Sequence, residues 1–270
     1  MRIYLDGPSG GKNGTRATIA AMNPFLPVGA ALAACAGAVS YAAVYARAQI
    51  FGSTVCGTNS PRKLAITFDD GPNPALAPQL LDLLARHDAR ATFFVIGRYT
   101  RECPELVRET AQRGHLVGNH TLTHPNLFWL APSMIHDELR QTQDAIVAST
   151  GFAPKWFRPP YGYRNPWVVK TAAQLGMRTA MWSEIPGDWK PWPLEKLIGK
   201  MRPIAVHAQR NLASGADGTG DVLCLHDGGH RALNADRTRT LKALEYWLPR
   251  WRDAGLEFVT IEEAVSAPAT

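Results

Sequence analysis

The sequence has no two cysteines in CxxC spacing; the four, Cys35, Cys56, Cys103 and Cys224, lie far apart. That argues against a thiolate zinc finger. Cys35 and Cys224 read as small buried thiols, and no disulfide is assigned. There is no dense Lys/Arg block interleaved with aromatics, so the formal net charge of +6 gives no support to nucleic-acid binding. There is no internal repeat. Most conspicuously, no charged residue occurs from Ala17 to Ala46.

That last absence sets the expected organisation. The part from Phe25 to Ala46 is long enough to span a bilayer as a helix, although it is rich in Ala and Gly rather than Leu. Residues 17–47 are therefore expected to be a membrane anchor, behind a short basic segment over 1–16. A cleaved signal ending near Ala43 or Ala46 is one alternative, and lipidation at Cys35 is another. Met22 is an alternative start. Residues 48–62 read as a linker, because Gly52, Gly57, Asn59 and Pro61 punctuate them, and residues 63–266 as the catalytic domain.

From Leu64 onward, strand-like and helix-like segments alternate. Leu64–Phe68, Ala91–Ile96, His115–Gly118, Lys155–Phe157, Arg178–Trp182, Val222–Leu225 and Leu256–Val259 read as strands. Between them, Leu76–His87 and Pro104–Arg113 carry helical spacing. Ser133 is expected to cap a longer helix closed by Gly151, Asn165-Pro166 opens another, and Leu194–Met201 reads as helical. Gly-rich His207–Gly220 reads as a loop, and Thr260-x-x-Glu263 as a capping box. About seven strands separated by helices imply an α/β fold. The expected form is a distorted, incomplete (β/α)7-type barrel of parallel strands, preceded by the hydrophobic segment.

Chemistry-bearing residues fall just after these strands. Leu64-Ala-Ile-Thr-Phe-Asp-Asp-Gly-Pro72 ends an apolar run in two carboxylates, at the end of a strand where parallel α/β folds keep their sites. The same pair also suits an ordinary turn. His120-Thr-Leu-Thr-His124 follows the third strand, and two His four apart on a helical turn suit a shared metal, though the spacing is also a common accident. Arg158-Pro-Pro-Tyr161 follows the fourth. Trp182–Trp189 follows the fifth, with Trp182, Trp189 and Trp192 as possible sugar platforms. His226-Asp227-Gly228 follows the sixth and offers an acid or base. Each cluster alone is ambiguous. Together they set Asp, His and Arg along one rim, where chance would scatter them over both.

The set Thr67-Phe-Asp-Asp-Gly-Pro72, His120-x-x-x-His124, Arg158-Pro-Pro-Tyr161, Asp188-Trp189 and Leu225-His226 resembles the polysaccharide deacetylases, the NodB-homology or carbohydrate esterase family 4 proteins, over about residues 62–265. The resemblance implies that Asp70, His120 and His124 bind a divalent metal, most often Zn, with Co, Ni or Fe as alternatives. It implies Asp69 as general base, oriented by Arg158, and His226 as general acid, oriented by Asp188. The backbone N–H of Tyr161 is implied at the oxyanion. Pro160, Tyr161, Trp189 and Cys224 are expected on the substrate side, and loops His207–Gly220 and Phe128–Pro132 around the groove. Two departures stand out. Glu184 lies one place before the position near Ile185 where the family usually carries an acid, and Cys224 stands where it usually carries Leu, beside the acetyl methyl.

The implied activity is removal of N-acetyl groups from N-acetylglucosamine-type sugars of a cell-wall or surface polysaccharide, outside the cytoplasm. O-deacetylation of a xylan-type ester and non-catalytic glycan binding are the alternatives. Secretion or a lipoprotein form are the alternative placements. Oligomeric state is not legible.

Overall fold

The computed structural model describes residues 25–213 and 218–266. The chain divides into two compact units, Met1–Ala38 and Val39–Thr270. The expected basic segment over 1–16 and the first part of the expected anchor lie outside the described residues. Helix α1 (Phe25–Val44) carries no charge. Among the described residues, no helix is long and apolar enough to cross a membrane. The end of α1 belongs to the second unit, where Ala42 and Ala43 are buried. Its last carbonyls would lack partners at a helix C-terminus. Arg164, itself 1% exposed, closes this end: its guanidinium donates to the carbonyls of Ala42 (3.2 Å), in the last turn, and of Tyr45 (2.5 Å) and Ala46 (3.3 Å), just beyond it.

The second unit is built on one sheet of eight strands: β1 (Thr54–Val55), β2 (Lys63–Gly71), β3 (Thr92–Val95), β4 (Leu116–Asn119), β5 (Trp156–Phe157), β6 (Arg178–Ala180), β7 (Val222–His226) and β8 (Glu257–Val259). Every pairing between them is parallel, in the order β1-β6-β5-β4-β3-β2-β7, with β8 also on β2. The chain beyond β6 then reaches β7: Ser183 and Glu184 donate to Val222 O at 3.0 and 3.1 Å, and Cys224 N–H donates to Glu184 O at 2.9 Å. The sequence suggests about seven strands. The eighth, β1, falls inside the stretch read as a linker. Two residues are too few to show alternation, and their extended form is fixed by pairing with β6, Thr54 against Thr179.

Helices α2 (Ala77–Arg86), α3 (Gly97–Glu102), α4 (Pro104–Gln112), α5 (Pro132–Thr150), α6 (Pro166–Gln174), α7 (Leu194–Ala213), α8 (Thr238–Asp253) and α9 (Ile261–Val265) connect the strands. Two local expectations are corrected. Ser133 does not cap α5; extended Ala131 does, with Pro132 at the first helical position, where its missing N–H costs nothing. The supposed loop over His207–Gly220 is helical as far as Ala213, because the glycines that suggested a loop begin only at Gly215. Other signals hold: Asn165 caps α6 through its side chain, Gly151 ends α5 at φ 82°, and Thr260 and Glu263 form the capping box of α9.

Side chains alternate along β2 and β7, as strand geometry requires. Leu64, Ile66 and Phe68 pack with Leu223 and Leu225 against helical residues such as Leu80, Leu84, Leu244 and Trp251. Ala65, with Val222, packs in a separate cluster around Phe94 and Trp156. By the same alternation Thr67, Asp69, Cys224 and His226 share a face with Ala65 and Val222.

Candidate active site

Alternation raises a difficulty at the two aspartates. Neighbours on a strand point to opposite faces, so Asp69 and Asp70 should diverge. They do not, because β2 is irregular there. Asp69 pairs with Phe94 and Gly71 with Val95, leaving Asp70 as an extra residue with φ 72°. Such a bulge re-aims a side chain. Both carboxylates then line one cleft of about 570 Å³, with His120, His124, Tyr161, Trp182, Ile185, Trp189, Cys224 and His226. His124 (φ 62°) and Tyr161 (φ 58°) also hold left-handed backbone that costs non-glycine residues energy, a concentration of strain typical of functional sites.

The histidines meet by a different route from the expected helical turn. His120 ends the chain's run after β4, and Thr121 and His124 bend the backbone with positive φ. The His120 and His124 ring centroids lie 5.0 Å apart. Asp70 Oδ1 is 3.1 Å from His124 Nε2 and 3.6 Å from His120 Nε2. His120 Nδ1 lies 2.8 Å from the Arg158 carbonyl; donating there leaves the Nε2 lone pair toward Asp70. That is the tautomer a metal-binding imidazole needs. Burial lowers His120 to about 4, so it is neutral near pH 7. Burial alone would raise the Asp70 carboxyl, but the imidazoles gathered around it, those of His124 and His230 foremost, hold it well below the usual range. Asp70 Oδ1 is buried with no hydrogen-bond donor. A cation fits: one carboxylate and two imidazoles converge on a point where an unpartnered oxygen would otherwise be costly.

Asp69 borders that trio, its Oδ2 3.9 Å from His120 Nε2, but its other oxygen is held elsewhere. Arg158 Nη1 donates to Asp69 Oδ1 at 2.8 Å and to Thr67 Oγ1 at 2.7 Å, and Nη2 donates to Met181 O at 2.8 Å. Arg158 is fully buried, with its guanidinium 4.3 Å from the Phe94 ring centroid. Arg158→Met would strand the Asp69 carboxylate without its cation. It is expected to destabilise the protein by about 3–5 kcal/mol, seen as a lower urea midpoint. A midpoint within error of the unmodified chain would show that the pair is not what holds this end of the sheet.

On the neighbouring strand β7, Asp188 grips His226 twice, accepting from its backbone N–H at 2.9 Å and lying 2.9 Å from its Nδ1. Thr240 Oγ1 donates to the same carboxylate. Burial would lower the His226 imidazolium. The Asp188 charge and hydrogen bond, with Asp70 and Asp69 behind them, outweigh it and raise it to about 9. His226 is thus a protonated donor with Nε2 free for the cleft, facing a fixed carboxylate. A base and an acid at paired positions on β2 and β7, beside a cation site, can divide hydrolysis of an acyl bond between them.

Not every expected residue reaches the cleft. Trp189, 43% exposed, lines it and lies against His226, and Trp182 joins it. Trp192 instead packs beside the core cluster. Pro160 is buried in a 3-10 turn and does not line the cleft, while Tyr161 does. Neither 128–132 nor the described part of 207–220 lines it. Glu184 faces away, 3.8 Å from His207, and Ile185 takes the place beside the acid. Cys35 is exposed, Cys224 is buried as expected, and all four thiols are free.

One participant has little sequence signal. His230 stacks on His124 at 4.5 Å and 11°, with Nδ1 3.8 Å from Asp70 Oδ2. The chain reaches it through Gly228-Gly229. Gly228 lies so close to Asp70 O that a Cβ would clash at 2.1 Å. Thr67, which steadies Arg158, begins the Thr67–Pro72 motif, whereas Thr240, which steadies Asp188, carried no signal.

Comparison with known proteins agrees with this geometry. The profile of the polysaccharide deacetylase family matches residues 57–180. A peptidoglycan-N-acetylglucosamine deacetylase of Bacillus cereus is 38% identical over 213 residues, covering 76% of this chain and 89% of the relative. A chitooligosaccharide deacetylase of a Bradyrhizobium species is 37% identical over 203 residues, covering 73% and 87%. Among solved structures, a peptidoglycan N-acetylglucosamine deacetylase in complex with an N-hydroxybenzamide compound superposes with a TM-score of 0.67 at 28% identity, over 78% of this chain and 92% of that one.

Proposed function

The chain belongs to the polysaccharide deacetylase family, and from that premise we propose that it hydrolyses the N-acetyl group of N-acetylglucosamine-type residues in a polymer, yielding acetate and a free amine. The observation that carries this reading is the convergence of Asp70, His120 and His124 beside an Arg158-bound Asp69 and an Asp188-bound His226. The relatives named for peptidoglycan and chitooligosaccharide support the N-acetylated substrate class.

A divalent cation, proposed to be zinc, would be held by Asp70, His120 and His124 and would supply Lewis acidity to the attacking water and the acetyl carbonyl. The protein's own groups do the rest. Asp69, oriented by Arg158, takes the proton of the attacking water. The Tyr161 N–H, presented by its left-handed turn, faces the developing oxyanion, where one donor is worth on the order of 3 kcal/mol. His226, held by Asp188, gives its proton to the departing amine, which leaves poorly as an anion. Trp182 and Trp189 offer apolar faces for the sugar rings. The domain is proposed to work outside the cytoplasm, where such polymers lie, with the uncharged stretch over 17–47 as a membrane tether or signal segment.

The test is acetate release from peptidoglycan, chitin oligomers and acetylxylan, with and without a chelator. Release is expected from the N-acetylated polymers. It should stop on chelation and return with added zinc. Release from acetylxylan alone would move the assignment to esters. No release from any polymer would leave a glycan-binding protein.

A further inference from the structure

Cys224 sits at the cleft floor between the base and the acid, and it is a soft donor in a place that the reaction gives no use for one. Its Sγ lies 3.5 Å from Asp69 Oδ2. That oxygen is the one Arg158 leaves free, since Arg158 takes Oδ1. On the other side, Asp188 engages His226 Nδ1, so Nε2 is left as the lone-pair nitrogen once its proton is lost. Ligand atoms of Asp69, Cys224 and His226 all lie within 4.8 Å of one another. A tetrahedral zinc with a Zn–S bond near 2.3 Å and a Zn–O bond near 2.0 Å separates sulfur and oxygen by about 3.5 Å. The sulfur–oxygen separation present here already has that value.

We propose that Asp69, Cys224 and His226 form a second, inhibitory site for a thiophilic divalent ion, next to the one assigned to Asp70, His120 and His124. The donor set is one thiolate, one imidazole and one carboxylate, which selects zinc or cadmium over magnesium or calcium. The carboxylate behind His226 fixes its tautomer, as it does for metal-bound histidines generally. Binding balances simply. The Cys224 thiol and the His226 imidazolium each release a proton to solvent, and one divalent ion replaces them, so the net charge of the buried site is unchanged. Occupancy removes the base and the acid together, so it stops turnover. The inhibitory consequence rests on the hydrolytic reading above, whereas the ion site itself does not.

The full chain, first given one equivalent of zinc, is titrated with cadmium and followed by its near-ultraviolet thiolate-to-metal absorption and by bound metal per chain. Acetate release is measured in parallel at rising zinc and cadmium. One further ion is expected, with a thiolate band, and inhibition competitive with the polymer. Cys224→Ala and Cys224→Ser should lose that band and weaken inhibition on the order of 10-fold to 100-fold, each compared with its own uninhibited rate. The Ser variant keeps the side-chain volume if Ala perturbs folding. No band in the unmodified chain, or a band that survives in either variant, overturns the proposal. An absence of turnover at any metal level with the band present would instead sink the hydrolytic reading and leave the site standing.

Discussion

Asp69→Asn is expected to lower acetate release on the order of 10²-fold to 10⁴-fold, the usual worth of a positioned base, while the chain keeps its catalytic cation. Asn preserves the shape and the contact with Arg158 Nη1 through its carbonyl oxygen, so the fold and the cleft persist. What disappears is a group able to take the proton of the attacking water. Amides and esters need that proton transfer alike, so both substrate types should suffer. Metal content by elemental analysis separates this loss from loss of the ion. It should be unchanged, because Asp70, not Asp69, lies between the two imidazoles. Asp70→Asn should do the reverse and release the metal. Near-normal turnover in the Asp69 variant, or metal lost along with activity, would reverse the roles of the two carboxylates.

The second large effect concerns the acid. His226→Ala should cost on the order of 10²-fold to 10⁴-fold on N-acetyl substrates but much less on an activated aryl ester, whose leaving group departs without a proton. Equal losses on both would assign His226 to structure rather than to proton donation. Its partner gives the matching pH test. His226 must be protonated to act, and it is raised to about 9, so activity with the intact pair should fall as pH rises through about 9. Asp188→Asn removes the largest of the charges that raise it, leaving burial to pull it down against Asp70 and Asp69 alone, so the alkaline arm should move to lower pH. An arm that stays in place would exclude His226 as its source. The same pair acts on stability. With the folded value above the ordinary 6.5, its contribution is fully present below 6.5 and is lost as pH rises from there through about 9.

Much of this was legible because parallel folds place chemistry at strand ends. An apolar run that stops at a carboxylate, a histidine or an arginine marks such an end without further help. The caps at Asn165 and Thr260 were legible for a related reason, since each is satisfied within a few residues. What failed were features decided by distant partners. Strand β1 exists because β6 pairs with it. Trp192 had the same local look as Trp189, yet it packs beside the core. Glu184 looked like a displaced site acid, but the bridge between Glu184 and Leu223 carries it toward His207. His230 joins the cleft only because two glycines let the chain pass against Asp70.

By itself the sequence determined which residue types stand at which strand ends, and hence one rim with carboxylates, imidazoles and a guanidinium. Residue type and spacing did not separate the roles of Asp69 and Asp70; only the family resemblance assigned them. Two successive strand residues are equivalent in composition and opposite in direction, so neither order nor spacing separates their roles. The tertiary structure gives them different surroundings, by a one-residue bulge that turns Asp70 toward the histidines and a buried arginine, 89 positions along the chain, that claims Asp69.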